Sequence, residues 1–126
     1  MRIGRLRIIE PPFFIHRHQL LSDENMMETY LTTLRNAQQH EAVSAMLDTL
    51  IRIAEASVEA GETERAADIL ALVVHYPLNK HNRARAENLF LDLKAEVCPR
   101  VILDAETRAQ EITLDELVSE ILNTTI

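Results

Sequence analysis

The sequence predicts an all-α chain of five or six helices, a short stack of antiparallel helix hairpins behind an extended N-terminal arm. Three observations predict it. Ala, Leu, Glu and Arg dominate the 126 residues, and two glycines and four prolines are the only strong breakers, a composition that favours helix. Apolar residues recur at three- and four-residue spacing through most of the chain. The stretch Leu50–Pro77 reads as two helices joined at Gly61, the first closing on a glycine and the second on a proline.

With 47% apolar residues and this length, the chain suffices for one domain and one ordinary core. The core is aliphatic, because Phe13, Phe14, Phe90, Tyr30 and Tyr76 are its only aromatics. The organisation is an arm over residues 1–18 and a single helical domain over 19–126. In the arm, Ile3, Leu6, Ile8 and Ile9 alternate irregularly with arginines, and Pro11 and Pro12 stop any helix there. Phe13, Phe14 and Ile15 follow as an apolar plug.

Ser22 or Asp23 is placed to cap the first helix, with Glu24 in its first turn, where the helix dipole favours negative charge. Met27, Tyr30, Leu31, Leu34 and Ala37 form its apolar stripe. A turn or kink follows at Gln38–His40. The stripe resumes with Val43, Met46, Leu47, Leu50, Ile53, Ala54 and Val58 and ends at Gly61. The next helix covers about 63–75, with Ala66, Ile69, Leu70, Val73 and Val74 inward. After the break at Tyr76–Asn79, Asn79 caps a helix over about 80–98, whose inward side holds Ala86, Leu89, Phe90, Leu93 and Val97. Cys98–Pro99 ends it, a short helix follows around 101–109, and Thr113 with Glu116 forms a capping box that opens the last helix.

Leu50–Leu78 resembles a tetratricopeptide repeat, a helix–turn–helix unit of about 34 residues. With Gly61 at the turn, Leu50, Ile53 and Ala54 take the packing positions of the first helix, and Ala66, Leu70 and Val73 those of the second. Ser57 stands where an aromatic is usual, and Pro77 falls one residue early. The longer run AADILALVVHYPLNKHNRARAENLFLDLKAEV, with LDELVSEIL after it, is similar to the helical C-terminal tail of large bacterial multidomain regulators. Those are proteins of the LuxR-type and related ATPase kinds, in which such repeats follow a nucleotide-binding domain. The features carried over are Ala66–Pro77, Arg85–Leu93 and the closing helix at 114–122; residues 1–45 lie outside the resemblance. It implies a sensor or scaffold piece without output domains, since the sequence has neither a nucleotide-binding loop nor a DNA-binding helix-turn-helix.

Charge narrows the partners. Arg2, Arg5, Arg7 and Arg17 against Glu10 give residues 1–18 a net +3, which leaves −10 on the remainder of a chain of net −7. An acidic body is repelled by phosphate backbones, so nucleic acid is an unfavoured partner. No apolar run approaches a membrane span. One cysteine, Cys98, fits a reducing compartment, and the cytoplasm is the expected location.

Chemistry-bearing constellations are absent from the sequence. His16 and His18 flank Arg17, but His40, His75 and His81 are scattered and do not complete a four-ligand zinc spacing. Cys98 follows an acidic helix end, which disfavours a thiolate. Glu55 with Glu59, and Glu62 with Glu64, read as solvated helix faces. No catalytic, cofactor or metal residues are expected, and the chain is expected not to be an enzyme.

What remains is a protein or peptide interaction module, with interaction residues Arg5, Arg7, Phe13, Phe14, Met27, Tyr30 and Leu34. A short helical stack leaves a terminal face bare. About 400 Å² of unburied apolar surface forgoes on the order of 10 kcal/mol, comparable with a domain's whole stability. A homodimer covering that face through the helix at 23–39 or the Phe13–Phe14 plug is therefore expected. The alternative is a small helical regulator that binds nucleic acid or a small ligand through its basic arm or an apolar groove.

Overall fold

A computed structural model describes the backbone of residues 12–125 and the side chains of residues 26–123. Six helices form: α1 (Pro12–Gln39), α2 (Val43–Glu59), α3 (Thr63–Val73), α4 (Lys80–Glu96), α5 (Pro99–Glu111) and α6 (Leu114–Thr125). No strand forms among the described residues. The chain is all-α.

The expected boundary of the arm at residue 18 is corrected: residues 12–18 belong to α1, and residues 1–11 lie outside the described part. Proline at the first helical position loses no intrahelical hydrogen bond and brings φ already set, so Pro12 opens the helix it was expected to prevent. Ser22 and Asp23, expected as caps, therefore stand inside α1. Pro99 does the same for α5, with Cys98 as the residue before its first turn, and lengthens that helix beyond the expected 101–109.

The first two helix connections share one hydrogen-bond pattern. After α2, Gly61 N–H donates to Val58 O (3.1 Å) and Glu62 N–H to Ser57 O (2.8 Å). After α1, Glu41 N–H donates to Gln38 O (3.2 Å) and Ala42 N–H to Ala37 O (2.9 Å). Both are Schellman turns, in which a left-handed residue just past the helix lets the chain reverse. Gly61 takes that role at φ +83°, and at the other turn Glu41 takes it at φ +53°. The side chain at 41 costs about 1 kcal/mol that a glycine avoids.

Side-chain caps form at the starts of α4 and α6 as the sequence indicates. Asn79 Oδ1 accepts from Asn82 N–H at 2.8 Å. Thr113 Oγ1 accepts from Glu116 N–H (3.2 Å), and Glu116 Oε1 accepts from Thr113 N–H (2.8 Å), which completes the capping box. Two further residues tie the lower end together. Arg83 donates to the carbonyls of Val74 (3.2 Å) and Tyr76 (2.7 Å) at the end of α3, where a cation also suits the helix dipole. The Tyr76 hydroxyl accepts from Leu114 N–H (3.1 Å) at the start of α6.

α3 is the centre. Every residue from Ala66 to Val73 is buried except Asp68, so apolar side chains point in all directions from this helix. Helices α2, α4, α5 and α6 pack around it. Of the expected inward face, Ala66, Ile69, Leu70 and Val73 are buried and Val74, at the C-cap, is half-buried, while Ala67, Ala71 and Leu72 bury the other faces. Successive helices alternate in direction. α6 returns along α1, with Gln38 Nε2 donating to Ser119 Oγ at 2.9 Å. The last helix thus meets the first and closes the bundle, unlike an open stack of repeats. Across the interior, Arg85 of α4 grips Glu55 of α2 with two nitrogens, at 2.5 and 3.3 Å.

The turn geometry sets opposite outcomes for two substitutions. An added Cβ at Gly61 meets nothing within 4 Å, so Gly61→Ala loses about 1 kcal/mol through backbone strain alone. Glu41→Gly removes the same strain and gains up to about 1 kcal/mol, offset by the greater entropy of the unfolded glycine. Urea denaturation of both variants measures the two signs.

Candidate interaction groove

α4 and α5 both pack on α3 and leave an open seam between them. α5 has only a narrow buried stripe, Ile102 and Ala105, and that stripe lies on α3. On its flanks, ion pairs bridge to the neighbours: Lys94–Glu106 at 3.9 Å towards α4, and Arg108–Glu120 towards α6. α4 likewise spends Ala86, Phe90 and Leu93 on the interior. The outward leucines of both helices are left in solvent, Leu91 at 64% exposure and Leu103 at 62%.

Between them runs a groove floored by Ala71, Val74 and Phe90 and walled by Glu87 and Leu91 on one side and Glu106 on the other. It continues past Lys94 to Pro99, Ile102 and Leu103. Lys94 Nζ stands 4.6 Å from the centre of the Phe90 ring, a cation–π contact that holds the ammonium at the groove's midpoint. His75, just beyond the end of α3, closes the other end of the groove. Cys98 is exposed at the α4–α5 turn beside Pro99.

On the far side of α5 the junction of α3, α5 and α6 is polar. Asp68 is half-buried there, and burial pushes its carboxyl above the ordinary value of 3.8. Arg108 opposes that shift, and the carboxylates of Glu120, Glu64 and Asp104 reinforce it. The junction has more negative than positive charge, which is a cost to the fold rather than a chemical device. Among the described residues no group of three or more His, Cys, Asp or Glu side chains is placed to hold a metal ion. Of the carboxylate pairs in the sequence, Glu55 is engaged by Arg85, and Glu62 lies 3.7 Å from Arg65.

Of the interaction residues expected from sequence, Met27, Tyr30 and Leu34 have described side chains. Arg5 and Arg7 lie outside the described residues, and Phe13 and Phe14 lie in α1 where only the backbone is described. Met27 and Tyr30 are half-buried against the core. Leu34 has no exposure at all and belongs to that core, because α6 lies over the face of α1 that a partner was expected to cover. Met26, at 48%, is the large apolar side chain that α1 exposes among the described residues.

Leu91 and Leu103 were missed in the sequence reading, yet a signal exists. In Leu89–Phe90–Leu91–Asp92–Leu93, four apolar residues within five cannot all face one way on a helix. The run Val101–Ile102–Leu103 poses the same problem.

Titration of Asp68 gives a measurable sign. A carboxyl with its pKa raised by folding binds its proton more tightly in the native state. Its contribution to stability is therefore full below the ordinary value and is lost as pH rises through the raised one. Asp68→Asn is expected to raise the urea midpoint at pH 7, with the gain shrinking as pH falls through the raised value and gone below the ordinary 3.8. A gain that is constant across pH 3–8 contradicts this origin.

No helix among the described residues is long and apolar enough to cross a membrane. No protein-family model, curated protein or solved structure matches this chain.

Proposed function

We propose that the chain is a non-catalytic protein-interaction module, a regulatory or scaffold piece that docks an apolar peptide or helix along the α4–α5 groove. The observation that carries this reading is the pair Leu91 and Leu103, two leucines more than 60% exposed on facing helices above an apolar floor. Large side chains in that arrangement gain burial only from something laid between them. An amphipathic helix with anchors at three- and four-residue spacing has the right form for a groove between two helices. The polar walls Glu87, Lys94 and Glu106 supply the charged rim that fixes orientation. The resemblance of Ala66–Pro77, Arg85–Leu93 and the closing helix at 114–122 to the helical tails of bacterial regulators supports a scaffold role in the cytoplasm.

Cys98 makes the reading testable, since it is the sole cysteine of the sequence and borders the groove. A benzophenone attached there and irradiated in extract of the source cells is expected to yield a discrete adduct. Leu91→Asp with Leu103→Asp is expected to abolish that adduct with the circular dichroism spectrum unchanged. An identical adduct pattern from both proteins, or none from either, counts against the groove.

The homodimer belongs to the same proposal and uses a different surface. Met26 is exposed on α1, with Met27 and Tyr30 beside it half-buried against the core. Light scattering is expected to give twice 14.4 kDa at micromolar concentration, and Met26→Asp is expected to shift it towards 14.4 kDa. A single species of monomer mass rejects the dimer and leaves the groove reading intact.

A further inference from the structure

α4 has uncharged lines on two opposite sides. Ala86, Phe90 and Leu93 are buried towards the interior. Half a turn away, on the outermost line, stand Ala84, Asn88, Leu91 and Ala95, all exposed, with Leu91 at 64%. A surface helix ordinarily presents its charges there. α4 instead has them on the flanks of that line. Glu87 and Lys94, seven residues apart, border the groove towards α5. Arg85 and Asp92, also seven apart, lie on the flank where Arg85 reaches Glu55 of α2.

An uncharged seam at four-, three- and four-residue spacing between two charged flanks is the pattern of a helix that pairs with another helix. Ala84 and Ala95 let the axis of a second helix approach to about 8 Å, and Leu91 supplies the central apolar contact. Asn88 costs stability in such a seam and fixes its register.

The flanks identify the partner as a second copy of α4. Laid antiparallel, seam against seam, Ala84 of one copy meets Ala95 of the other and Asn88 meets Leu91. The same register sets Glu87 beside Lys94 of the second copy, twice over by symmetry, and Asp92 beside its Arg85. Every flank contact then joins opposite charges. A parallel pair would set Glu87 beside Asp92 and Lys80 beside Arg85, which repel. Glu87 and Lys94 have solvent-exposed partners within their own chain, Arg83 at 3.2 Å and Glu106 at 3.9 Å, and stay 54% and 44% exposed, so both are open to a second contact. Arg85 is already held by Glu55 and is 20% exposed, which leaves Glu87 and Lys94 as the principal pair.

We infer that α4 is a self-association surface, on which two copies pair antiparallel through Ala84, Asn88, Leu91 and Ala95, with Glu87 and Lys94 exchanged across the two-fold axis. The pairing does not rest on the docking reading, and it uses a different helix from the α1 dimer. It shares Leu91 with the groove, so pairing and docking exclude each other. A seam of about three turns buries well under the ~1,200 Å² of a stable interface, and the pairing therefore needs a high local concentration.

Met26→Asp chains, in which the α1 contact is removed, isolate this surface. Sedimentation equilibrium is expected to give 14.4 kDa at micromolar concentration, rising towards twice that mass near millimolar. Adding Glu87→Lys alone, or Lys94→Glu alone, sets like charges at both principal contacts, and each variant is expected to stay at 14.4 kDa throughout. An equimolar mixture of the two is expected to regain the rise, because each chain supplies the charge that the other lacks. Restoration in the mixture also excludes misfolding as the cause of the loss. A parent that is monomeric at every concentration overturns the inference. So do single variants that associate like the parent, or a mixture no heavier than its components. None of these outcomes alters the Cys98 photo-adduct, so failure of the pairing and failure of the docking reading are read separately.

Discussion

A helix with apolar side chains on every face has no face it can turn to water, and α3 is such a helix. Ile69, Leu70, Leu72 and Val73 point in different directions and are all buried. Fully burying each contributes about 1.5–3 kcal/mol. An ion pair such as Arg85–Glu55, with Glu55 41% exposed, contributes at most about 1 kcal/mol by comparison. Enclosure of α3 therefore decides the arrangement, and the ion pairs adjust it. The enclosure needs helices on all sides, so α4, α5 and α6 gather round α3 instead of extending a row.

That requirement explains which parts of the fold could be read from the sequence. Helix positions followed from local rules: Gly61 as a stop, Asn79 as a cap, and Thr113 with Glu116 as a capping box all rest on residues within one turn of each other. Closure of the bundle did not. It depends on Tyr76 meeting Leu114 and Gln38 meeting Ser119, pairs far apart in the chain with no signature in either neighbourhood. The run Ile69–Val74 was read as one inward face plus remainder, although six consecutive apolar residues already indicate burial on every side.

Prolines account for the misplaced boundaries. Proline is excluded from a helix interior, so Pro12 reads as a terminator, and α4 does end before Pro99 as expected. The same missing N–H makes it a favoured first residue, and both open helices here. Glu41 is the opposite case. The turn or kink expected at Gln38–His40 is a turn, with the hydrogen bonds of the Gly61 turn and without its glycine. The interaction residues fared worse for a related reason. Leu34 was assigned to a partner on the assumption that the first helix lacks a cover, and α6 supplies that cover.

The exposed groove follows from the same enclosure of α3. α5 commits Ile102 and Ala105 to α3, and α4 commits Ala86, Phe90 and Leu93 to the interior. Leu91 and Leu103, the large apolar side chains that remain, are left exposed. What bridges them is Lys94–Glu106, a solvent-exposed pair at 3.9 Å of a kind whose net stabilisation is about 0–1 kcal/mol. Leu91 and Leu103 stand on either side of that weak link. Opening the pair costs little, while burying two leucines returns about 1.5–3 kcal/mol each if the burial is complete. The balance favours insertion of an apolar segment at this seam over the other helix contacts of the bundle, where entry would first require separating packed core.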